Sequence, residues 1–196
     1  MSNSAHRLGG KARQASVVND GYDELHREIR ALRLQIAELE RLADRDTLTP
    51  LLNRRAFLRE VERSIARVAR HGTPTSVMIA DLDGLKAIND SAGHQAGDAA
   101  LMYVGYALKA QVRATDIVAR IGGDEFGLVF EDLDTAAAEA KAKSLAAAIA
   151  AEPVDGTTVS VSIGYTLVRA SDSFDSIIAR ADAAMYIRKR LQRSER

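Results

Sequence analysis

The chain has 196 residues, of which 27 are Lys or Arg and 27 are Asp or Glu, so no net field draws it to nucleic acid or to an anionic membrane surface. It contains no cysteine, which excludes disulfides, thiolate metal sites and cysteine nucleophiles and suits a reducing compartment. The length suits one domain with its own core plus an appendage, and any phosphate recognition must be local.

Residues 1–17 combine Gly, Ser and Asn with scattered basic residues and read as a disordered tail. They hold no continuous apolar stretch, so neither a signal peptide nor a membrane span is expected, and the predicted location is the cytoplasm. From Val18 the pattern changes. Val18, Tyr22, Leu25, Ile29, Leu32, Ile36, Leu39 and Ala43 follow one another at alternating spacings of four and three, a heptad repeat. Tyr22, Ile29, Ile36 and Ala43 take the a positions and Val18, Leu25, Leu32 and Leu39 the d positions. Ile at a with Leu at d favours a parallel two-stranded coil, in which Glu28 at g meets Arg33 at e of the partner. Residues 18–45 are therefore predicted to be a dimerisation helix, against the alternative of an amphipathic helix folded onto its own domain.

"ADRDTLTPLLNRR" breaks the periodicity at Asp46, Thr47, Thr49 and Pro50, and residues 46–196 follow as one domain. Arg54 to Arg70 is a predicted helix with Phe57, Val61, Ile65 and Val68 on one face. "TSVMIADLD" is a buried strand ending in acids. Ala99 to Val112 is helical, and "SAGHQAGDAAL" before it looks like a glycine turn with Asp98 as N-cap. "ARIGGDEFGLVF" is a predicted β-hairpin with acids at its tip, Gly122-Gly123 supplying the positive φ of a tight turn. Thr135 to Ala151 is an Ala-rich helix, "TTVSVSIGYTLV" alternates as a strand, and "SFDSIIARADAAMYIRKRL" closes the chain as a helix. Mixed elements around a central hairpin make the fold class α+β, with part of the sheet antiparallel.

The chemistry gathers at two strand ends. "MIADLDGLKAIND" closes an apolar strand with Asp81 and Asp83 and then presents Lys86 and Asn89. A strand end exposes hard oxygen ligands without burying unpaired charge, and carboxylates from here and from the hairpin tip would together suit Mg²⁺. Neither the oxygen ladder nor the closing Glu of a calcium loop is present.

An acidic strand end with Lys and Asn, then "GHQAGD", "RIGGDEF", "SIG" and "ADAAMYIRK", in this order, resembles the GGDEF-domain family of diguanylate cyclases. The resemblance covers about Asp46 to Arg193. It implies an antiparallel-centred sheet with packed helices, like the palm of nucleotidyl cyclases and polymerases, preceded here by the coiled-coil helix. It implies Asp81, the Leu82 carbonyl and Asp124 as ligands of Mg²⁺, or of Mn²⁺ in its place. Asp124 is then also the candidate base, with Glu125 supporting it. Lys86, Lys189 and Arg193 match positions that grip a triphosphate, and Asn89 and Asp98 match a guanine-reading pair with His94 nearby. A carboxylate accepts from the N1–H and exocyclic amine of guanine, whereas adenine offers an acceptor at N1. The implied reaction joins two GTP into cyclic di-GMP plus two pyrophosphates, each domain holding one GTP, so that a homodimer completes the site.

Arg113 and Asp116 in "VRATD" stand where the family has its inhibitory RxxD site for product. Read alone, they are a local ion pair. Four positions depart from the family pattern: Pro50 for a common Gly, Gly84 and Leu85 for bulkier residues before the Lys, and Gln192 for a common Gly before Arg193. The rival reading is a catalytically silent module that binds cyclic di-GMP and signals through its coil. No nucleic acid and no membrane insertion are expected.

Overall fold

The computed structural model describes residues 24–36, 38–39, 43–154 and 156–194. The proposed tail and the heptad positions Val18 and Tyr22 lie outside the described residues. Those before Asp44 form a unit of their own, separate from Asp44 onward. In the first unit residues 24–36 are helical (α1). Its heptad side chains Leu25, Ile29, Leu32 and Ile36 are 36 to 54% exposed and Leu39 is 65% exposed, so the apolar stripe is uncovered in a single chain.

The second unit runs β1 (Leu52–Asn53), α2 (Arg54–His71), β2 (Thr75–Leu82), α3 (Leu85–Ala92), α4 (His94–Ala110), β3 (Ile117–Arg120), β4 (Glu125–Glu131), α5 (Thr135–Ala150), β5 (Val161–Leu167) and α6 (Phe174–Ser194). Its five-stranded sheet has the order β1-β3-β4-β2-β5. The central pairings of β2 with β4, β2 with β5 and β3 with β4 are antiparallel, while β1 lies parallel to β3. The α+β expectation holds.

Strand alternation sorts the core into two layers. Met78, Ala80 and Leu82 of β2 join Phe126, Leu128 and Phe130 of β4 in one cluster, with Leu101, Val104 and Leu108 of α4 and Leu145 and Ile149 of α5. Val77 and Ile79 face the other way, toward Phe57 and Val61 of α2 and Ile177 and Ala181 of α6. By the same alternation Asp81 and Asp83 lie on the α2/α6 side of the sheet. Two glycines let those helices sit close. A Cβ on Gly127 would meet the Phe57 ring at 2.6 Å, and one on Gly164 would run into the α6 backbone at Ala181 and Met185.

α6 is tied down at its first turns. The Arg180 guanidinium donates to both oxygens of Asp172, at 2.7 Å each, and also to Thr166 Oγ1 at 3.0 Å and the Leu167 carbonyl at 2.9 Å. With further donation from the Arg169 N–H and Ser176 Oγ, the Asp172 carboxyl is held down at about 2. A depressed carboxylate contributes stability above its ordinary value of 3.8 that is lost as pH falls through about 2. Arg180→Ala is accordingly expected to cost about 2 kcal/mol at pH 7. It should also remove the share of the parent's stability loss below pH 4 that Asp172 contributes. Urea unfolding across pH reads both, and a variant with the parent's acid limb would show that this pair does not anchor the helix.

Two local expectations are corrected, and one helix was not expected. "GHQAGD" is not a turn capped by Asp98: α4 begins at His94 after Gly93, without a side-chain cap, so Asp98 lies inside the helix. "LKAINDSA" is a helix of only eight residues, whose Leu85 and Ile88 pack partly buried against the core. Gly122 and Gly123 do not have positive φ. The turn between β3 and β4 is closed instead by the Ile121 and Gly122 N–H groups, both donating to the Glu125 carbonyl. What Gly122 supplies is room, since a Cβ there would press on the Glu125 carboxylate. Gly84 does need its freedom: φ is +73° where the chain leaves β2 for α3, a region that penalises any residue with a Cβ.

Candidate active site

Antiparallel register brings the acids together. Asp81 stands opposite Glu125 of β4 on one side and opposite Ser162 of β5 on the other. The Leu82 N–H donates to the Asp124 carbonyl at 2.9 Å, which fixes the hairpin tip against the end of β2. Residues directly opposite share a face, so Glu125 is the neighbour of Asp81 across the sheet, while Asp124 lies level with Leu82.

From α6, Lys189 reaches this edge and forms an ion pair with Asp81. Its ammonium also lies 3.8 Å from Asp83. Asp83 is held by two hydroxyls: Ser160 Oγ donates to Oδ2 at 2.9 Å and Ser162 Oγ to Oδ1 at 2.8 Å. Asp182, two turns before Lys189 on α6, comes near Glu125.

The carboxylates repel one another in a partly dry site. Burial pushes Asp81 above the ordinary carboxylate range against the pull of Lys189, and Asp124 and Asp83 add to the rise. Glu125 is raised by burial and by Asp182, Asp124 and Asp81, with Arg54 opposing. Burial alone raises Asp182. A divalent cation relieves this crowding, and the donors are hard oxygens. Among the described residues no three acidic or histidine side chains close on one point.

Beside the acids, α3 and α4 carry the second group of expected residues. Lys86 and His94 are exposed, Asn89 is half-buried and Asp98 faces solvent. Asn89 Oδ1 is buried without a hydrogen-bond partner. A Cβ on Gly97 would collide with that same oxygen, so the glycine makes the space into which Asn89 turns. The Arg193 side chain lies outside the described residues.

Arg113 and Asp116 are not part of this group. They occupy the loop before β3, whereas the acidic tip follows β3, a separation of roughly 13 Å along the strand. Asp116 Oδ2 accepts from the Arg113 backbone N–H at 2.8 Å, which leaves the exposed guanidinium to face outward from the turn. The pair lines a cavity of about 290 Å³ together with Arg45, Pro50, Lys109 and Val112.

Sequence reasoning did not assign roles to Asp83, Ser160, Ser162, Asp182, Arg54 or Gly97. Two signals for them were present: the alternating serines of "VSVSIG", and the seven-residue spacing that puts Asp182 and Lys189 on one helix face.

Comparison with known proteins places this geometry. A family model described as "Diguanylate cyclase, GGDEF domain" matches residues 43–195. Diguanylate cyclase TpbB of Pseudomonas aeruginosa is 36% identical over 180 residues, covering 89% of this chain and 41% of that protein. Diguanylate cyclase DosC of Escherichia coli is 38% identical over 154 residues, 76% of this chain and 34% of that protein. The chain thus spans well under half the length of these relatives. The crystal structure of the coiled coil and GGDEF domain of DgcB from Caulobacter crescentus, in complex with c-di-GMP, superposes with a TM-score of 0.76 at 28% identity. It covers 92% of this chain and 94% of that one. Carboxylates from two strand ends, a lysine brought over them by the last helix, and a family match across the whole domain agree: the chain belongs to the GGDEF domain family of diguanylate cyclases.

Proposed function

We propose that the protein condenses two GTP molecules into cyclic di-GMP with release of two pyrophosphates. The observation that carries this reading is that strand register sets Asp81 opposite Glu125 and bonds Leu82 to the Asp124 carbonyl, while α3, the next helix after β2, carries a buried, unpartnered Asn89 Oδ1. The resemblance to a coiled-coil GGDEF protein solved with c-di-GMP supports it.

In this reading Asp81, the Leu82 carbonyl and Asp124 hold Mg²⁺ or Mn²⁺. When bound, the ion polarises the α-phosphate and neutralises charge developing on the pyrophosphate. Lys86, Lys189 and Arg193 bind the triphosphate, while Asn89 and Asp98 read guanine, with His94 at the rim. Each 3′-hydroxyl attacks the α-phosphorus of the opposite nucleotide and pyrophosphate departs. The hydroxyl proton passes to the hairpin tip, to Asp124 with Glu125 beside it. Because each domain holds one GTP, residues 18–45 pair with a second copy as a parallel coil and bring two domains of residues 46–196 together, behind a tail of residues 1–17. No described helix is long and apolar enough to cross a membrane, and in this reading the protein works in the cytoplasm, where GTP is supplied. Incubation with GTP and Mg²⁺ should yield a cyclic dinucleotide by mass; recovery of GTP alone at every protein concentration would overturn the reading.

Gly97→Ala should push Asn89 out of its slot and weaken GTP binding by roughly tenfold or more, with far less effect on ATP. Titration with both nucleotides checks it, and equal losses would refute a guanine-reading role. At the second site, Arg113 and Asp116 bind product as an inhibitor. Arg113→Ala is expected to keep the initial velocity and to weaken inhibition by added cyclic di-GMP, since its turn lies a strand's length from the acids. Progress curves that match the parent's would reduce the pair to a turn.

A further inference from the structure

We infer that Asp83 is a positioning residue that stations the Lys189 ammonium at the strand end, and that Ser160 and Ser162 act by fixing Asp83. This rests on the reading of Lys189 as a triphosphate-gripping residue. The argument begins with register. Asp81 near the end of β2 and Asp83 just past it are two apart and share a face, as do Ser160 and Ser162 beside them on the β5 side. Asp81 stands opposite Ser162, and the Asp83 N–H donates to the Ser160 carbonyl at 2.9 Å, so the ladder continues one step past β2. Ser160 then lies straight across from Asp83 and Ser162 on the diagonal, within reach of its two separate oxygens.

Those two bonds decide what Asp83 can do. Each carboxylate oxygen accepts from a hydroxyl on a sheet strand or its edge, which locks the side chain in one orientation and takes one lone pair of each oxygen. Its negative charge is not cancelled, because a hydroxyl carries none. The only ammonium ion-paired with it among the described residues is Lys189, at 3.8 Å, too far for a direct hydrogen bond and close enough for attraction. Lys189 meanwhile pairs directly with Asp81. Any cation taken up by Asp81 displaces the lysine from that partner. Asp83 then keeps the ammonium within a few ångströms of where the phosphates must lie instead of releasing a long, flexible side chain to solvent, where ordering it again on each binding event would carry an entropic cost. Gly164 serves the same end, since the close seat of α6 over β5 sets how far Lys189 can reach.

Asp83→Asn is the appropriate probe. The amide keeps one acceptor for one serine and offers an N–H to the other, whose hydroxyl can rotate to accept, so the sheet edge stays bonded while the charge facing Lys189 is removed. Calorimetry with 3′-deoxy-GTP, which lacks the attacking hydroxyl, and with GMP gives the affinity gained from the outer phosphates as a ratio. Asp83→Asn should lower that ratio by roughly fivefold while leaving GMP binding unchanged, and should lower it no further in a Lys189→Ala background. Ser160→Ala with Ser162→Ala, which frees the carboxylate but keeps its charge, should give a smaller loss in the same ratio. The inference is overturned if Asp83→Asn weakens both ligands equally, if it lowers the ratio as much without Lys189 as with it, or if it chiefly raises the Mg²⁺ concentration needed for binding. A ratio unchanged in Lys189→Ala alone would overturn the phosphate role of Lys189 and this inference with it. A ratio reduced there but unchanged in Asp83→Asn would overturn only the part given to Asp83.

Discussion

Asp81→Asn is expected to cut synthesis of cyclic di-GMP by roughly a thousandfold or more while leaving the domain at least as stable as the parent. The two effects have one cause. Asp81 sits at the end of a buried strand, opposite Glu125 and level with the hairpin tip. Burial, then the charges of Asp124 and Asp83, raise its proton affinity despite the pull of Lys189. A carboxyl raised in the fold contributes stability that is complete below its ordinary value of 3.8 and is lost as pH rises through the raised value, so at neutral pH its ionised form burdens the fold. Asn fills nearly the same volume without that charge. What disappears is an anionic oxygen able to hold a divalent cation at the α-phosphate, for which a neutral amide is a poor substitute. Turnover and metal-free thermal unfolding measured on the same preparation separate the halves. Activity within tenfold of the parent would remove Asp81 from the chemistry, and a collapse of the melting temperature would make it a structural residue.

Ile29→Lys with Ile36→Lys is expected to abolish turnover at low protein concentration and to restore part of it as concentration rises. Both residues are heptad a positions on α1, and both are exposed in the single chain, at 36 and 54%. In a parallel coil each would face its own counterpart, so the double substitution sets four ammonium groups in a seam built for Ile and Leu. Each apolar side chain lost forfeits about 1.5 to 3 kcal/mol of burial, and like charge adds repulsion, which a coil of barely four heptads cannot absorb. The domain from Asp44 onward has its own two-layered core and should remain folded. GTP would still enter each half-site, but two half-sites would meet only by diffusion, and raising the concentration would partly replace the effective molarity that the coil supplies. Light scattering and activity over one dilution series test this. A variant that stays dimeric, or one that is monomeric and fully active at every dilution, would show that the heptads do not assemble the site.

How far the sequence could be read depended on whether a feature is local. Phe57 and Val61, Val77 to Leu82, and Leu145 with Ile149 carry periodicities that a strand or helix imposes on its own residues, and the corresponding elements formed close to where they were expected. α3 escaped notice because "LKAINDSA" is only eight residues long and its apolar side is short, with Leu85 and Ile88 only partly buried against the core. The early start of α4 was hidden by Gly93 and Gly97, which look like a turn; Gly97 in fact makes room for Asn89 from the neighbouring helix. Gly122 was read as a residue of backbone freedom, and its value proves to be the absence of a Cβ beside Glu125.

By itself, then, the sequence determined most of the strands and longer helices, which strand ends carry acid, and, through the order of its motifs, the family. Only the tertiary structure decided which acids become neighbours and what each one faces. Asp83 finds its serines 77 and 79 residues away, and Lys189 finds Asp81 at a separation of 108. Those meetings follow from the register between β2 and β5 and from how closely α6 can approach Gly164. A one-residue slip in that register would send Ser162 to the opposite face without changing any local pattern. Periodicity is a property of one segment and its own backbone, whereas register and approach are set by the packing of segments against one another, so the positions of the acids were legible and the network that holds them was not.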